Sequence, residues 1–390
     1  MQTDAMAPLL VEAQRQAEIC NACRYCEGYC AVFPALHSQR SFAAGDLTQL
    51  ANLCHNCRGC YYACQYTAPH EFDLNLPAAL ADLRQAGWEG YAWPGGLARL
   101  FMTSGAALGL SIALGFALIF AAMRALGPTG GAGFYAFLSH SAMVAIFLPA
   151  FLLPLVALAV GLRRYWRDVG GGPLHRSDVV RALSDAARLR NLSGGHGDGC
   201  NFEEEDRFSP ARRRAHHAVM YGFLLCFLST SSATLMHYGA DMPAPYPLLS
   251  LPKLFGLPGG LLMVAGGIWL MALKLRSARH LGAAGAWGGE MGFILLLVLV
   301  AASGLALYAA GAVTQLAATL PALLALHLGA VLSLFLLTPY TKMAHGAFRL
   351  AALIREAQRL RIAKQQRIAE QHRIAEQRRR AEQHRRAQPG

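Results

Sequence analysis

The sequence predicts a mainly α protein: a six-helix transmembrane bundle preceded by a small, cysteine-rich α+β head and followed by a basic tail. Three observations carry this. Of the 390 residues 54% are apolar, far more than one soluble core needs, and they gather into long blocks. Eight of the ten cysteines lie in the first ninety-odd residues, in two runs of identical spacing. The basic residues behind the net charge of +12 concentrate in particular links between the blocks.

The head covers residues 1–96. It mixes charged residues with cysteines and has no apolar core of a cleavable signal peptide, so it is expected to stay on the side where it is made. "CNACRYCEGYC" sets Cys20, Cys23, Cys26 and Cys30 at C-x2-C-x2-C-x3-C, and "CHNCRGCYYAC" repeats that spacing with Cys54, Cys57, Cys60 and Cys64 after 23 intervening residues. A reducing cytoplasm keeps thiols free, which argues against a disulfide framework. Zinc usually takes two separated pairs of ligands, whereas three close thiolates plus a remote fourth suit the corners of an iron-sulfur cubane. In two-cluster ferredoxins of this spacing the fourth cysteine of each run serves the other cluster. The expected sets are therefore Cys20, Cys23, Cys26 and Cys64 for one [4Fe-4S] cluster, and Cys54, Cys57, Cys60 and Cys30 for the second. The proline that usually follows the last cysteine is replaced by Ala31 and Gln65.

The bundle covers residues 97–348. About 20 helical residues cross a hydrocarbon layer of ~30 Å. Six blocks reach that length: Phe101 to Leu126, Phe134 to Leu162, His217 to Tyr238, Leu254 to Leu275, Met291 to Ala310 and Leu320 to Ala344. The link from Arg163 to Arg214 holds eleven arginines, and Lys274, Arg276 and Arg279 mark the link that ends at Glu290. The other three links offer little beyond Arg124 and Lys253. By the positive-inside rule the protein is expected to be multi-pass in a bacterial inner membrane, with both termini and the loop 163–214 cytoplasmic. The positive charge is then a topology signal and an attraction to anionic membrane lipid, and no nucleic-acid motif accompanies it.

The bundle carries histidines at matched positions. A helix turns about 100° per residue, so the eighteen residues from His327 to His345 amount to five turns and put both rings on one face about 27 Å apart. On the third span His216 and His237 repeat the habit, closing to one face at the period of supercoiled packing. His217, about 160° from His237, is the substitute for His216. The third and sixth spans run in opposite directions. His216 is then level with His345 near the cytoplasm, and His237 with His327 near the periplasm. Paired histidines suit b-type haem, so two haems are expected, with one as the fallback. His140 has no partner at matching spacing. Lys342 and Tyr340, beside His345 and after Pro339, could hydrogen-bond a quinone carbonyl, although snorkelling to the interface is the plainer role.

The remaining segments carry less chemistry. The glycines of "LSGGHGDGC" fit no phosphate loop, and the run Glu203, Glu204, Glu205 and Asp206 reads as a solvated or docking surface. Cys226 reads as a small buried apolar residue. The tail, residues 349–390, repeats "RIAEQHR" with a period of six, which drifts about 120° per repeat and gives no coiled-coil seam.

Taken in order, "ACRYCEGYCAVFPAL", "CHNCRGCYYACQYTAPHEF", "GGHGDGCNFEEEDRFSPARRRAHH" and "YGFLLCFLSTSSATLMHY" resemble the tricarballylate or citrate utilization protein B family. The resemblance covers Cys20 to about Arg349. The sixth span is similar to the last helix of the respiratory nitrate reductase gamma subunit, a di-haem cytochrome b whose last-helix histidines bind haem. Membership implies a subunit that takes electrons from a partner FAD-dependent dehydrogenase acting on tricarballylate or a related tricarboxylic acid. It passes them through ferredoxin-like clusters and haem to membrane quinone. No flavin domain precedes the head, which agrees with a separate flavoprotein. Two rivals are a membrane arm of a heterodisulfide-reductase-like thiol-disulfide oxidoreductase and a membrane redox sensor. The first would need cysteines beyond Cys200 at a substrate site.

Overall fold

The computed structural model describes residues 6–126, 133–194, 197–202 and 207–386. The acidic run Glu203 to Asp206 lies outside the described residues. Five helices build the head: α1 (Ala7–Cys23), α2 (Val32–His37), α3 (Ala44–Leu53), α4 (Gly59–Tyr62) and α5 (Leu76–Tyr91). The strands expected there are a correction to make. Among the described residues the one strand-like pairing is an isolated antiparallel bridge between Cys200 and Ser209, so the head is α and not α+β. The cause is local, since "AGDLTQLANL" and "LPAALADLRQAGWEGY" are rich in alanine and leucine and lack the alternation of a strand.

Side chains set where these helices start. Asp46 accepts from the Ala43 amide at the head of α3 (3.1 Å), and the Asn75 carboxamide oxygen accepts from the Ala78 amide at the head of α5 (3.2 Å). Their apolar faces meet through Leu47, Leu50 and Leu53 against Leu80, Leu83 and Trp88, all buried. The Trp88 indole donates to the Asn52 carboxamide oxygen at 2.9 Å, satisfying the polar edge of the largest core side chain.

After α6 (Leu97–Thr103) come α7 (Gly105–Leu126), α8 (His140–Asp168), α9 (Arg176–Ala187), α10 (Ala211–Gly239), α11 (Leu251–Leu275), α12 (Trp287–Ala312) and α13 (Leu320–Leu337). Apart from α6 and α9, these helices lie in the six segments long and apolar enough to cross a membrane. Several bounds differ from the sequence reading by a few residues, and two of the helices show the local reason. The second crossing helix starts at His140, because the Ser139 hydroxyl caps it by accepting from the Ala142 amide (3.2 Å), and it runs on to Asp168. The sixth ends at Leu337, because Pro339 lacks an N–H and Thr341 is extended at φ −123°, ψ 179°. Two short 3-10 turns follow before α14 (His345–Arg386) begins.

Glycines bring α10 and α11 into backbone contact, as small residues do where lipid provides no hydrophobic drive. A Cβ on Gly266 would lie 2.8 Å from the Ala218 Cβ and 2.9 Å from the Val219 amide nitrogen. Gly266→Val should therefore push the two helices apart, at a cost of about 1–3 kcal/mol. A thermal unfolding midpoint in detergent equal to that of the parent protein would refute this.

All the basic links converge on the head. Gln49 donates to the Ala352 carbonyl at 2.8 Å, Tyr91 to Asp168 Oδ2 at 3.2 Å, and Asn56 to the Leu281 carbonyl at 2.7 Å. The end of α8, the link between α11 and α12 and the start of α14 thus meet the head at the same end of the bundle. The tail is less separate than a boundary at residue 349 implies. Ala352, Ala357 and Gln358 are buried, and Arg361 pairs with the buried Asp178 of α9 at 3.0 Å. From Lys364 onward the helix is exposed wherever its side chains are described.

Candidate metal centres

The eight cysteines of the two runs face two cavities. One, of about 220 Å³, is lined by Cys20, Cys23, Cys26 and Cys64 with Tyr61, Tyr66 and Pro77 around them. The second is tighter and is lined by Cys30, Cys54, Cys57 and Cys60. Each cavity therefore takes three cysteines from one run and one from the other. Cys60 also reaches the wall of the first. Among the described residues no three His, Cys, Asp or Glu side chains converge closely enough for a single metal ion. The thiols are instead spread around each cavity, as the corners of a cluster require.

Local backbone conformation turns these loops. Arg24, between Cys23 and Cys26, lies at φ 57°, and Asn56 and Arg58, on either side of Cys57, lie at φ 52° and 67°. Such left-handed residues concentrate where surrounding contacts over-determine the chain. Arg58 is held by donating to Asn56 Oδ1 (2.9 Å) and to the Phe202 carbonyl (2.8 Å). The Asn56 and Tyr66 amides point at the Cys54 and Cys64 sulfurs, both at 3.4 Å.

Burial and crowding disfavour the thiolate form of several of these cysteines. Burial, and then the neighbouring Cys64, Cys26 and Cys23, push the Cys20 thiol up to about 12. Burial followed by Cys64 and Cys23 pushes Cys26 up to about 11. In the inner cavity the Cys30 and Cys57 thiols hydrogen-bond to each other, which raises Cys30 and lowers Cys57. Thiols that oppose one another's ionisation become thiolates together only when positive charge sits among them, which iron supplies. The residues fit the group.

The histidines are less regular than their spacing. The rings of His216 and His345 face each other with centres 6.0 Å apart and planes at 79°. Two imidazoles bonded to opposite sides of one metal at about 2 Å each hold their ring centres about 6 Å apart. His345 Nδ1 donates to the Lys342 carbonyl, leaving Nε2 for a ligand. Burial, with His216, Arg349 and Lys342 nearby, holds His345 well below its usual range, so the ring is neutral as a ligand must be. The buried His216 Nδ1 has no partner. His217 instead lies against Tyr221, with ring centres 5.7 Å apart. His216 and His345 are the histidine pair whose ring separation would suit one haem.

The expected outer pair does not form. His237 stacks on His140 with ring centres 4.2 Å apart, too close for a metal between them, and makes no ring contact with His327. His327 Nδ1 lies 3.0 Å from the Ser303 hydroxyl, which gives its own proton to the Leu299 carbonyl. The reason is depth. His237 is two residues from the end of α10, whereas His327 is seven residues, about 10 Å, into α13. The same break after Leu337 means that His327 and His345 do not share one straight helix, so five-turn registry is not what brings His345 to His216.

Lys342 and Tyr340 both have partners inside the protein. Lys342 pairs with Glu290, which also pairs with Lys274, and its ammonium lies 4.9 Å from the Trp88 ring centre. The Tyr340 hydroxyl donates to the Trp93 carbonyl at 3.1 Å. Neither remaining cysteine makes a thiol-disulfide site. Cys200 is buried and donates to the Leu192 carbonyl (3.4 Å), and Cys226 lies in α10.

Residues that sequence reasoning missed hold the backbone of the loop that walls the inner cavity. Arg84 donates to the Ala51 and Cys54 carbonyls, both at 2.9 Å, and Arg212 to those of His55 (2.9 Å) and Asn56 (2.8 Å). Asn201, in the loop before α10, is buried and donates its amide to the Cys57 carbonyl at 2.8 Å. Arg212 lies one turn before His216, and that i, i+4 spacing was the one available signal.

Residues 94–367 match the family Citrate utilization protein B, and residues 13–89 match the Citrate utilization protein B Fer4-like domain. The chain is 40% identical over 353 residues to Citrate utilization protein B of Escherichia coli, covering 89% of this chain and 91% of that protein. No solved structure matches it. With most of its length matched in this way, the chain belongs to the citrate utilization protein B family.

Proposed function

We propose that this protein is a membrane electron-transfer subunit. It takes electrons from a partner FAD-dependent dehydrogenase, which oxidises tricarballylate or a related tricarboxylic acid, and delivers them to the quinone pool of a bacterial inner membrane. The Fer4-like match and the relative's name support an iron-sulfur role in tricarboxylate utilization. Cys20, Cys23, Cys26 and Cys64 would hold one [4Fe-4S] cluster, Cys30, Cys54, Cys57 and Cys60 the other, and His216 and His345 one b-type haem. Bound there, these groups supply one-electron storage and transfer.

The observation that carries the reading is the inward order of the sites. Cys23 is exposed at the outer cavity, the inner cavity lies against the bundle, and Arg212 joins its loop to the helix of His216. The chain's own residues set spacing and orientation. Asn56 and Arg58 shape the Cys57 loop, and the Lys342 carbonyl orients His345. A two-electron donor such as the proposed reduced flavin fits a carrier with several one-electron sites.

The test uses the full protein purified without oxygen. Chemically reduced flavin mononucleotide should reduce a b-type absorption band, and a short-chain quinone should reoxidise it within the same sample. A colourless, iron-free protein, or a reduced band indifferent to quinone, would overturn the proposal.

A further inference from the structure

The two cavities differ in one respect that neither the cysteine spacing nor the family match addresses. Among the described residues no charged side chain lines the outer cavity, whereas Arg58 lines the inner one. At the inner cavity three guanidinium groups converge on the Cys54–Cys57 loop. Arg84 donates to the carbonyl of Cys54 itself, Arg212 to those of His55 and Asn56, and Arg58 to the Asn56 carboxamide oxygen. Arg58 and Arg84 are 3% and 5% exposed, so these are buried charges. Arg58 and Arg212 both pack on the Phe202 ring, 4.7 and 4.2 Å from its centre, which fixes where they point.

Among the described residues no carboxylate forms an ion pair with Arg58, Arg84 or Arg212. Glu290, the nearby acid, is occupied by Lys274 and Lys342. Buried cations are kept when something anionic compensates them. A cluster held by four thiolates is such an anion, and its reduced state carries one more negative charge.

We propose that Arg58, Arg84 and Arg212 form a cationic collar that makes the Cys30, Cys54, Cys57 and Cys60 centre the easier of the two to reduce. Electrons arriving at the exposed outer centre then run inward, towards His216 and His345. The inference rests on the two-cluster reading above. Burial alone works the other way, because leaving water disfavours extra negative charge. The same low dielectric strengthens each fixed positive charge, and here three act on one loop. No bond is made or broken: one electron leaves the outer centre and is gained by the inner one.

The test is an anaerobic redox titration of the full-length protein followed by electron paramagnetic resonance, with Cys57→Ser used to identify the inner signal. In the parent protein that signal should titrate at the higher potential. Arg58→Gln and Arg212→Gln should each lower its reduction equilibrium constant about tenfold, which is about 59 mV for one electron. The outer signal should stay in place, and Arg212→Lys should restore most of the shift. A higher potential at the outer centre, or unshifted midpoints in both glutamine variants with about eight cluster irons still bound, would overturn the collar alone. Absence of cluster iron from the parent protein would remove the collar and the two-cluster reading together.

Discussion

His345→Ala should remove the b-type absorption from the purified protein while leaving its cluster iron in place. His345 faces His216 at the ring separation that one metal between them demands, and its Nδ1 is already committed to the Lys342 carbonyl. Losing either imidazole would leave a single ring to hold the group, and it is His216, not neighbouring His217 beside Tyr221, that has a ring contact with His345. His216→Ala should therefore match His345→Ala. His237→Ala should keep the full band, because His237 stacks on His140. Reduced-minus-oxidised spectra on the set decide the matter. A halved band in His237→Ala or His327→Ala would restore a second haem and sink the single-pair arrangement.

Cys64→Ala and Cys20→Ala, forty-four positions apart, should abolish the same paramagnetic signal, and Cys30→Ala should abolish the one lost in Cys54→Ala. The expectation follows from which cysteines share a cavity: Cys64 joins the first run, and Cys30 joins the second. Removing one of four thiolates leaves a cluster with an open corner amid groups that already resist ionisation, so loss of that cluster is expected. The remaining cluster should persist, because its four ligands lie in the other cavity. If Cys64→Ala instead extinguished the signal that depends on Cys54, each run would hold its own cluster.

Part of this was legible without coordinates. The six crossing segments follow from length and hydropathy alone, and their bounds shifted where a local signal competed, at Ser139 and at Pro339 with Thr341. Ferredoxin-like cysteine spacing does not bring ferredoxin-like strands with it, and among the described residues the head is α. The intervening segments themselves have helical composition. What Lys342 and Tyr340 bond to was not legible for another reason. Their partners, Glu290 and the Trp93 carbonyl, lie 52 and 247 positions away.

By itself the sequence determined the donor atoms: eight thiols in two like runs, and histidines near the ends of apolar helices. Those are properties of residue type and short spacing, where backbone geometry is nearly the same in any fold. Tertiary structure decided which donors meet. His345 reaches His216 only because the chain breaks after Leu337 and restarts as α14, and the outer pair fails because His237 and His327 lie at different depths. The arginines around the inner cavity come from α5, the Cys57 loop and α10. No periodicity marks such a group, because charges gathered from distant segments cluster only when packing places them around a common anion.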